Sequence, residues 1–533
     1  MTKPYYITTP IFYVNAAPHI GHAYTQIACD TLARYLRQRR REVFFMTGTD
    51  EHGEKIEKAT VAAGFREGEE KKFVDTIIPR FIELWRRLNV KYDRFIRTTD
   101  EEHVRTVRQF MGALHKKGDI YKKEYKGWFC TPCEMFWSDS QAPGGVCPDC
   151  KRPAEKLDEV NYFFKMSSYG AGLIEAIEKG EFVIRPEMRK NEVLSFLKGN
   201  TLQDLCISRP KSRLKWGIEL PFDSEYVAYV WVDALINYVS GIGYSDDRRK
   251  FESLWPADVH VIGKDIIRHH AIYWPIMLMA LGENMPGKVF AHGWWVVEGD
   301  KMSKSKGNVV DPFYLMDEKK YPVDALRYFL MSQVQFGWDG SFSEPLLVEK
   351  YNSDLANDIG NLLNRTLTMV EKYFGAAAPD TQGAGNLPEL LGEEAARLGR
   401  EIKESASALP GFVDGAMDPA GDGPDFQKAL SGIWKVIGKS NKYIEVSAPW
   451  KHSKENNMKA IAVIMDTLLQ GLGIAACLLY PFMPDTSENM WKQLGGEGSA
   501  ADKAAEGITW GIIPAGSRVN KTAPLFPRLE QIK

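Results

Sequence analysis

Four cysteines and two short motifs hold the residues of this chain whose types and spacing suit chemistry. Cys130-x2-Cys133 and Cys147-x2-Cys150 form two knuckles separated by thirteen residues. Each pair can present two thiolates to one tetrahedral ion, and four sulfurs leave no coordination position for water. The pattern therefore predicts one structural Zn2+, not a hydrolytic one. A pair of disulfides is the alternative, but seven cysteines in 533 residues suit a reducing cytoplasm better. Cys29, Cys206 and Cys477 stand in apolar surroundings and are expected to be inert core residues.

The motifs are His19-Ile20-Gly21-His22 and, far downstream, Lys301-Met302-Ser303-Lys304-Ser305. Glycine allows close backbone approach, a helix N-terminus offers unsatisfied N–H groups, and imidazoles add donors; together these suit phosphate. Lys301 and Lys304, followed by Gly307 and Asn308, suit a mobile loop that neutralises the outer phosphates of a triphosphate. Donors fixed in advance favour the charge that builds as a phosphorus becomes pentavalent. No general base is evident, and a carboxylate nucleophile needs none. HxGH alone arises by chance in roughly one chain in fifty of this length, so its weight rests on its setting and its partner motif. The bland alternatives are a histidine-capped turn and a basic surface loop.

The elements that must position these groups follow from periodicity. Tyr5 to Thr9 is β-branched and aromatic, Ile20, Tyr24, Ile27, Thr31 and Tyr35 recur at helical spacing, and Val43 to Thr47 reads as a buried strand. This βαβ unit implies parallel pairing with a right-handed crossover. The pattern resumes at Val259–Ile262 (strand), Asp265–Leu281 (helix) and Lys288–Ala291 (strand). Two such halves about 200 residues apart predict an α/β, Rossmann-like parallel-sheet catalytic domain split by the zinc-knuckle insertion. From Tyr351 onward strand signals vanish. Helical patterns over 351–374, 390–409, 426–447 and 458–480, with a Gly/Pro/Asp-rich loop at 410–425, predict an all-α helical bundle. The expected domains are 1–115 and 226–300 for the two catalytic halves, 116–225 for the insertion, 301–350 for the lysine-rich loop with a stem-contact region, and 351–533 for the bundle.

Composition narrows the class. A net charge of −2 gives no global attraction to a polyanion, so nucleic acid would bind through local patches such as Arg37–Arg41. The N-terminus lacks the layout of a secretory signal. Ile461–Met483 is the most apolar stretch, yet Asp466, Gln470, glycines and Pro481 interrupt it, so a buried helix is expected and no membrane span. A soluble cytoplasmic protein is predicted.

The two motifs resemble the HIGH and KMSKS signatures of class I aminoacyl-tRNA synthetases. Pro10–Asn15 (PIFYVN), Gly48–Gly53 (GTDEHG), Tyr229–Asp233 (YVWVD), Gly263–Ile266 (GKDI), Ala448-Pro449-Trp450 and Pro524–Pro527 narrow this, in the same order over essentially the whole chain, to the methionyl-tRNA synthetase family. The resemblance implies ATP with Mg2+, L-methionine and tRNA(Met) as partners, and methionyl-adenylate as intermediate. It implies ATP contacts at His19, Gly21, His22, Gly263, Asp265, Lys301 and Lys304, with His19, His22, Lys301 and Lys304 catalytic. Ile11, Tyr13, Trp231, Tyr238, His270 and Trp274 match the methionine pocket, and Asp50 matches the carboxylate that receives the substrate ammonium. Asn361, Arg365 and Trp450 match anticodon-reading positions.

His269 departs from the phenylalanine of some relatives, which implies a more polar pocket rim and leaves inhibitor sensitivity open. Relatives charging leucine, isoleucine or valine carry a much longer insertion with an editing domain, which favours methionine here. The absence of a C-terminal tRNA-binding extension after the bundle implies a monomer. A different class I synthetase and a non-catalytic tRNA-binding descendant are the rival readings.

Overall fold

The computed structural model describes residues 3–131, 133–148, 150–297, 299–301, 308–382 and 386–529. The chain forms two compact units, Met1–Cys29 with Glu42–His292, and Asp30–Arg41 with Gly293–Lys533.

In the first unit six parallel strands lie in the spatial order Arg94–Arg97, Val43–Asp50, Tyr5–Tyr13, Val259–Gly263, Lys288–His292, Val183–Arg185. From the central pair, where Ile7 faces Val259 and Thr8 faces His260, the next strands in sequence, Val43–Asp50 and Lys288–His292, lie on opposite sides. Such a reversal leaves a crevice at the strands' carboxyl ends, the usual place for a ligand in open α/β sheets. Tyr5–Tyr13 outruns the expected strand because its register shifts between Thr8 and Ile11, which lets Pro10 sit where a ladder N–H is not needed. The predicted helix at 265–281 is helical but uneven: a tight turn at Lys264–Ile266, a wide turn at His269–Tyr273, then a regular helix from Trp274 to Leu281.

The insertion carries its own antiparallel sheet, Met135–Trp137, Ile120–Cys130, Glu155–Phe164 and Leu205–Cys206, with Cys130 ending one strand. It also lends Val183–Arg185 to the edge of the parallel sheet.

The second unit is mainly helical. Its long helices are Asn361–Phe374, Glu393–Ala416, Phe426–Ser447 and Met458–Leu479, and a wide-turned segment, Tyr351–Gly360, precedes the first. The loop expected at 410–425 begins later, because helix runs through Ala416 and only residues 417–425 are irregular. Leu409, Val413 and Ala416 continue the buried face of Glu393–Ala416 past Pro410, so packing outweighs the one backbone hydrogen bond that proline removes. Met458–Leu479 is apolar and long enough to cross a membrane, but 94% of its most apolar window is buried inside the protein, as a core helix requires. Arg327, fully buried, donates to Asp30 Oδ2 at 2.7 Å and to the carbonyls of Phe482 and Pro481. Such pairing is what makes a buried guanidinium tolerable.

Candidate active site

The first histidine motif sits where the central strand gives way to the helix Ile20–Gln38. His19 is the capping residue: its carbonyl accepts the first helical N–H groups, from His22 and Ala23. Its Nδ1 accepts the N–H of Gly21 at 3.1 Å, and His22 Nδ1 accepts the N–H of His19 at 3.1 Å. This is a capping box built from two imidazoles. Because both Nδ1 atoms accept, each ring carries its proton on Nε2, the tautomer that donates to an anion. The rings stack with centroids 3.8 Å apart, and His22 meets Phe12 edge-on.

The strand on the other side of the crevice ends at Gly263. A Cβ there would lie 2.6 Å from Oδ1 of the exposed Asp265, so that side chain folds back over the strand end. Lys301 closes a two-residue strand, Asp300–Lys301, whose partner is Val296. Residues 302–307, Lys304 among them, lie outside the described residues.

Asp50 and Tyr13 are register partners on adjacent strands. Asp50 is 2% exposed and its Oδ1 has no hydrogen-bond partner among the described residues. Burial, then the charges of Asp233 and Glu134, push its carboxyl well above the usual range, against the opposing pull of Lys55 and the His52 peptide N–H. A buried, orphaned carboxylate oxygen calls for a cation from outside. Trp231 stands perpendicular to Tyr13, with centroids 6.4 Å apart, and its buried Nε1 also lacks a partner among the described residues.

Tyr238, His270 and Trp274, which the sequence assigns to the same pocket, lie in a buried hydrogen-bonded group. Tyr238 lies 2.7 Å from His270 Nε2, and His270 Nδ1 lies 2.9 Å from the Ile266 carbonyl. A carbonyl only accepts, so Nδ1 is protonated and Tyr238 donates to Nε2. Burial lowers His270 to about 4, keeping it neutral. Trp274, fully buried, packs near Tyr238 and donates to His260 Nε2 at 3.3 Å. Ile11 packs half-buried on the same core. His269 is not an open polar rim: its ring stacks on Trp231 at 3.7 Å, and burial keeps it neutral, well below the ordinary histidine value.

Two features had no clear signal in the sequence. Glu134, next to Cys133, accepts from the Lys55 N–H at 3.1 Å and lies 3.3 Å from the Tyr13 hydroxyl, so the knuckle reaches the end of the central strand. Gly53, at φ +103°, makes room: a Cβ there would lie 2.9 Å from both Glu134 carboxylate oxygens. The second feature is a buried chain in which Asp233 bonds His52 and His103.

The four knuckle sulfurs lie within 4.8 Å of one another, with Cys130 3.5 Å from Cys150 and Cys133 3.9 Å from Cys147. Tetrahedral zinc with bonds of about 2.3 Å requires sulfurs about 3.8 Å apart, so the donors fit that ion. Burial raises the Cys130 thiol to about 12, so a metal ion at this cluster would displace that proton on binding. The cluster is a metal-binding arrangement.

In the helical unit, Asn361 is exposed and Arg365, one turn on, pairs with Glu445 at 2.6 Å. Trp450 follows Pro449 at the start of a short helix and is 38% exposed, so the indole is not a core residue.

The family described as tRNA synthetases class I (M) matches residues 5–161 and 150–367, and the anticodon binding domain of methionyl tRNA ligase matches residues 392–532. The methionine–tRNA ligase of Caldanaerobacter subterraneus subsp. tengcongensis is 44% identical over 99% of this chain and 80% of its own. That of Clostridium tetani is 45% identical over 99% of this chain and 79% of its own. The solved structure of Mycobacterium tuberculosis methionyl-tRNA synthetase in complex with methionyl-adenylate matches with a TM-score of 0.89 at 38% identity, covering 99% of this chain and all of that one. Fold and site thus define a class I aminoacyl-tRNA synthetase. The chain belongs to the methionyl-tRNA synthetase family, whose reaction is methionine–tRNA ligation through methionyl-adenylate.

Proposed function

We propose that this chain holds methionine between Asp50 and the Tyr13–Trp231 corner, activates it at the His19–His22 turn, and charges tRNA(Met). The supporting observation is Asp50 Oδ1, buried without a hydrogen-bond partner among the described residues, on a strand whose register neighbour Tyr13 meets Trp231 edge-on. A carboxylate suits the substrate ammonium, and aromatic walls suit a thioether. Ile11, Tyr238, His270 and Trp274 complete the apolar side, where shape must reject homocysteine. One methyl separates substrates by only about 1–3 kcal/mol.

In the first step a methionine carboxylate oxygen bonds to the α-phosphorus of ATP while the bond to the β-phosphate oxygen breaks and pyrophosphate leaves. The Nε2–H groups of His19 and His22, the backbone at Gly21, and Gly263 with Asp265 across the strand reversal bind the nucleotide. Lys301 and Lys304 neutralise the departing pyrophosphate, with Mg2+ as the phosphates' counter-ion. In the second step the terminal ribose hydroxyl attacks the mixed anhydride and AMP departs. Asn361, Arg365 and Trp450 read the anticodon by hydrogen bonding and stacking. Cys130, Cys133, Cys147 and Cys150 would hold one Zn2+, which fixes the knuckle that carries Glu134.

Seven cysteines, four of them gathered in one cluster, and an apolar helix whose most apolar window is 94% buried support action in a reducing, cytoplasmic setting. One chain carries both the amino-acid residues and the anticodon residues, which supports a monomer as the working unit. Sedimentation at assay concentration tests it, and a dimer would overturn it. The site assignment is tested by calorimetric titration of methionine into wild type and Asp50→Asn. At least roughly a tenfold loss of affinity is expected, and equal affinity would displace Asp50 from the site.

A further inference from the structure

We propose that Asp233, clamped between His52 and His103, is the positioning residue that aims the Asp50 carboxylate at the amino group of the substrate. The inference rests on the reading of Asp50 given above.

Asp233 lies in the short helix Val230–Leu235 and is fully buried, as are His103 and Ser240; His52 is 6% exposed. Its Oδ2 lies 2.7 Å from His52 Nδ1 and its Oδ1 2.7 Å from His103 Nε2, and His103 Nδ1 lies 2.8 Å from Ser240 Oγ. A carboxylate only accepts here, so both imidazoles donate to it from opposite sides and its plane is fixed. His52 passes that constraint on. Its side chain is held by Asp233, and it stands two residues after Asp50, which ends the strand Val43–Asp50, so the clamp fixes the turn that presents the acid. The Oδ1 of Asp50 is left without a hydrogen-bond partner among the described residues.

The same short helix carries Trp231, two residues before Asp233 and 6.4 Å from Tyr13. One buried carboxylate therefore anchors both the aromatic wall and the turn that presents the acid. Apolar side chains would fill this space without a desolvation cost, so the arrangement favours a role in orientation over one in stability alone.

The test is methionine-dependent ATP–pyrophosphate exchange on four full-length proteins: wild type, Asp50→Asn, Asp233→Asn and the double variant. Asp233→Asn is expected to raise the methionine KM at least roughly tenfold, with kcat and the ATP KM within about threefold of wild type. The double variant is expected to match Asp50→Asn, because two residues acting through one carboxylate are not additive. A silent Asp233→Asn, or a further tenfold-scale rise (about that size) in the Asp50→Asn background, overturns the inference while leaving Asp50 in place. An unchanged KM in Asp50→Asn would remove the Asp50 reading and this inference with it. Should Asp233→Asn not fold, His103→Asn decides: a raised methionine KM with kcat retained supports the clamp, and an unchanged KM overturns it.

Discussion

His22 Nδ1 accepts the peptide N–H of His19 at 3.1 Å, so the side chain three residues into the helix closes the turn that begins it. With the matching bond from Gly21 to His19, both rings are set by backbone and their Nε2 protons are committed to donation. The two histidines thus serve as caps and as anion donors at once, which separates stability from catalysis experimentally.

Asparagine caps helices well but cannot carry a donor to the position of Nε2–H. His19→Asn is expected to change stability by less than about 1 kcal/mol, while adenylate formation falls at least roughly tenfold. Thermal unfolding and pyrophosphate exchange on one preparation check this. Normal exchange would leave His19 a cap and nothing more.

Methionine binding carries a pH signature from Asp50. The acid must be ionised to receive the ammonium, and burial, Asp233 and Glu134 hold its carboxyl well above the usual range. Methionine KM therefore falls as pH rises through that elevated value, and Asp50→Asn removes the dependence. A flat wild-type profile would contradict the assignment.

Zinc analysis by mass spectrometry is expected to give one ion per chain. Cys147→Ser leaves three sulfurs around a buried gap, so zinc content falls and the unfolding temperature drops by several degrees, corresponding to roughly 2 kcal/mol or more. Full zinc content in that variant would place the metal elsewhere.

Trp450 is 38% exposed, so its truncation costs little packing. Trp450→Ala is expected to weaken tRNA(Met) charging at least roughly tenfold while methionine-dependent exchange stays within about twofold. Equal losses in both assays would mean that the indole supports the fold, not the anticodon.

Legibility in the sequence follows how local each signal is. Val43–Asp50 and Val259–Gly263 read as strands because they are apolar runs buried on both faces of a parallel sheet. Arg94–Arg97 and Val183–Arg185 did not, being short edge strands with charged residues. Phe426–Ser447 matches its periodicity end to end, whereas Pro410 hid the extension of the preceding helix, which only the buried face of Leu409, Val413 and Ala416 reveals. The four-sulfur cluster was legible because its spacing is local geometry. The approach of Glu134 to Tyr13 was not: 121 residues separate them, and nothing in either neighbourhood encodes the contact. The His52–Asp233–His103 chain was hidden for the same reason, since its members come from three separate segments.

The central claim is that the carboxylate and aromatic corner at Asp50, Tyr13 and Trp231 selects methionine for adenylation. Amino-acid-dependent ATP–pyrophosphate exchange, run with each of the twenty amino acids in turn, measures that selection directly. Exchange driven by methionine, with the other nineteen near background, is the predicted result; exchange driven by leucine or valine and not by methionine would contradict it.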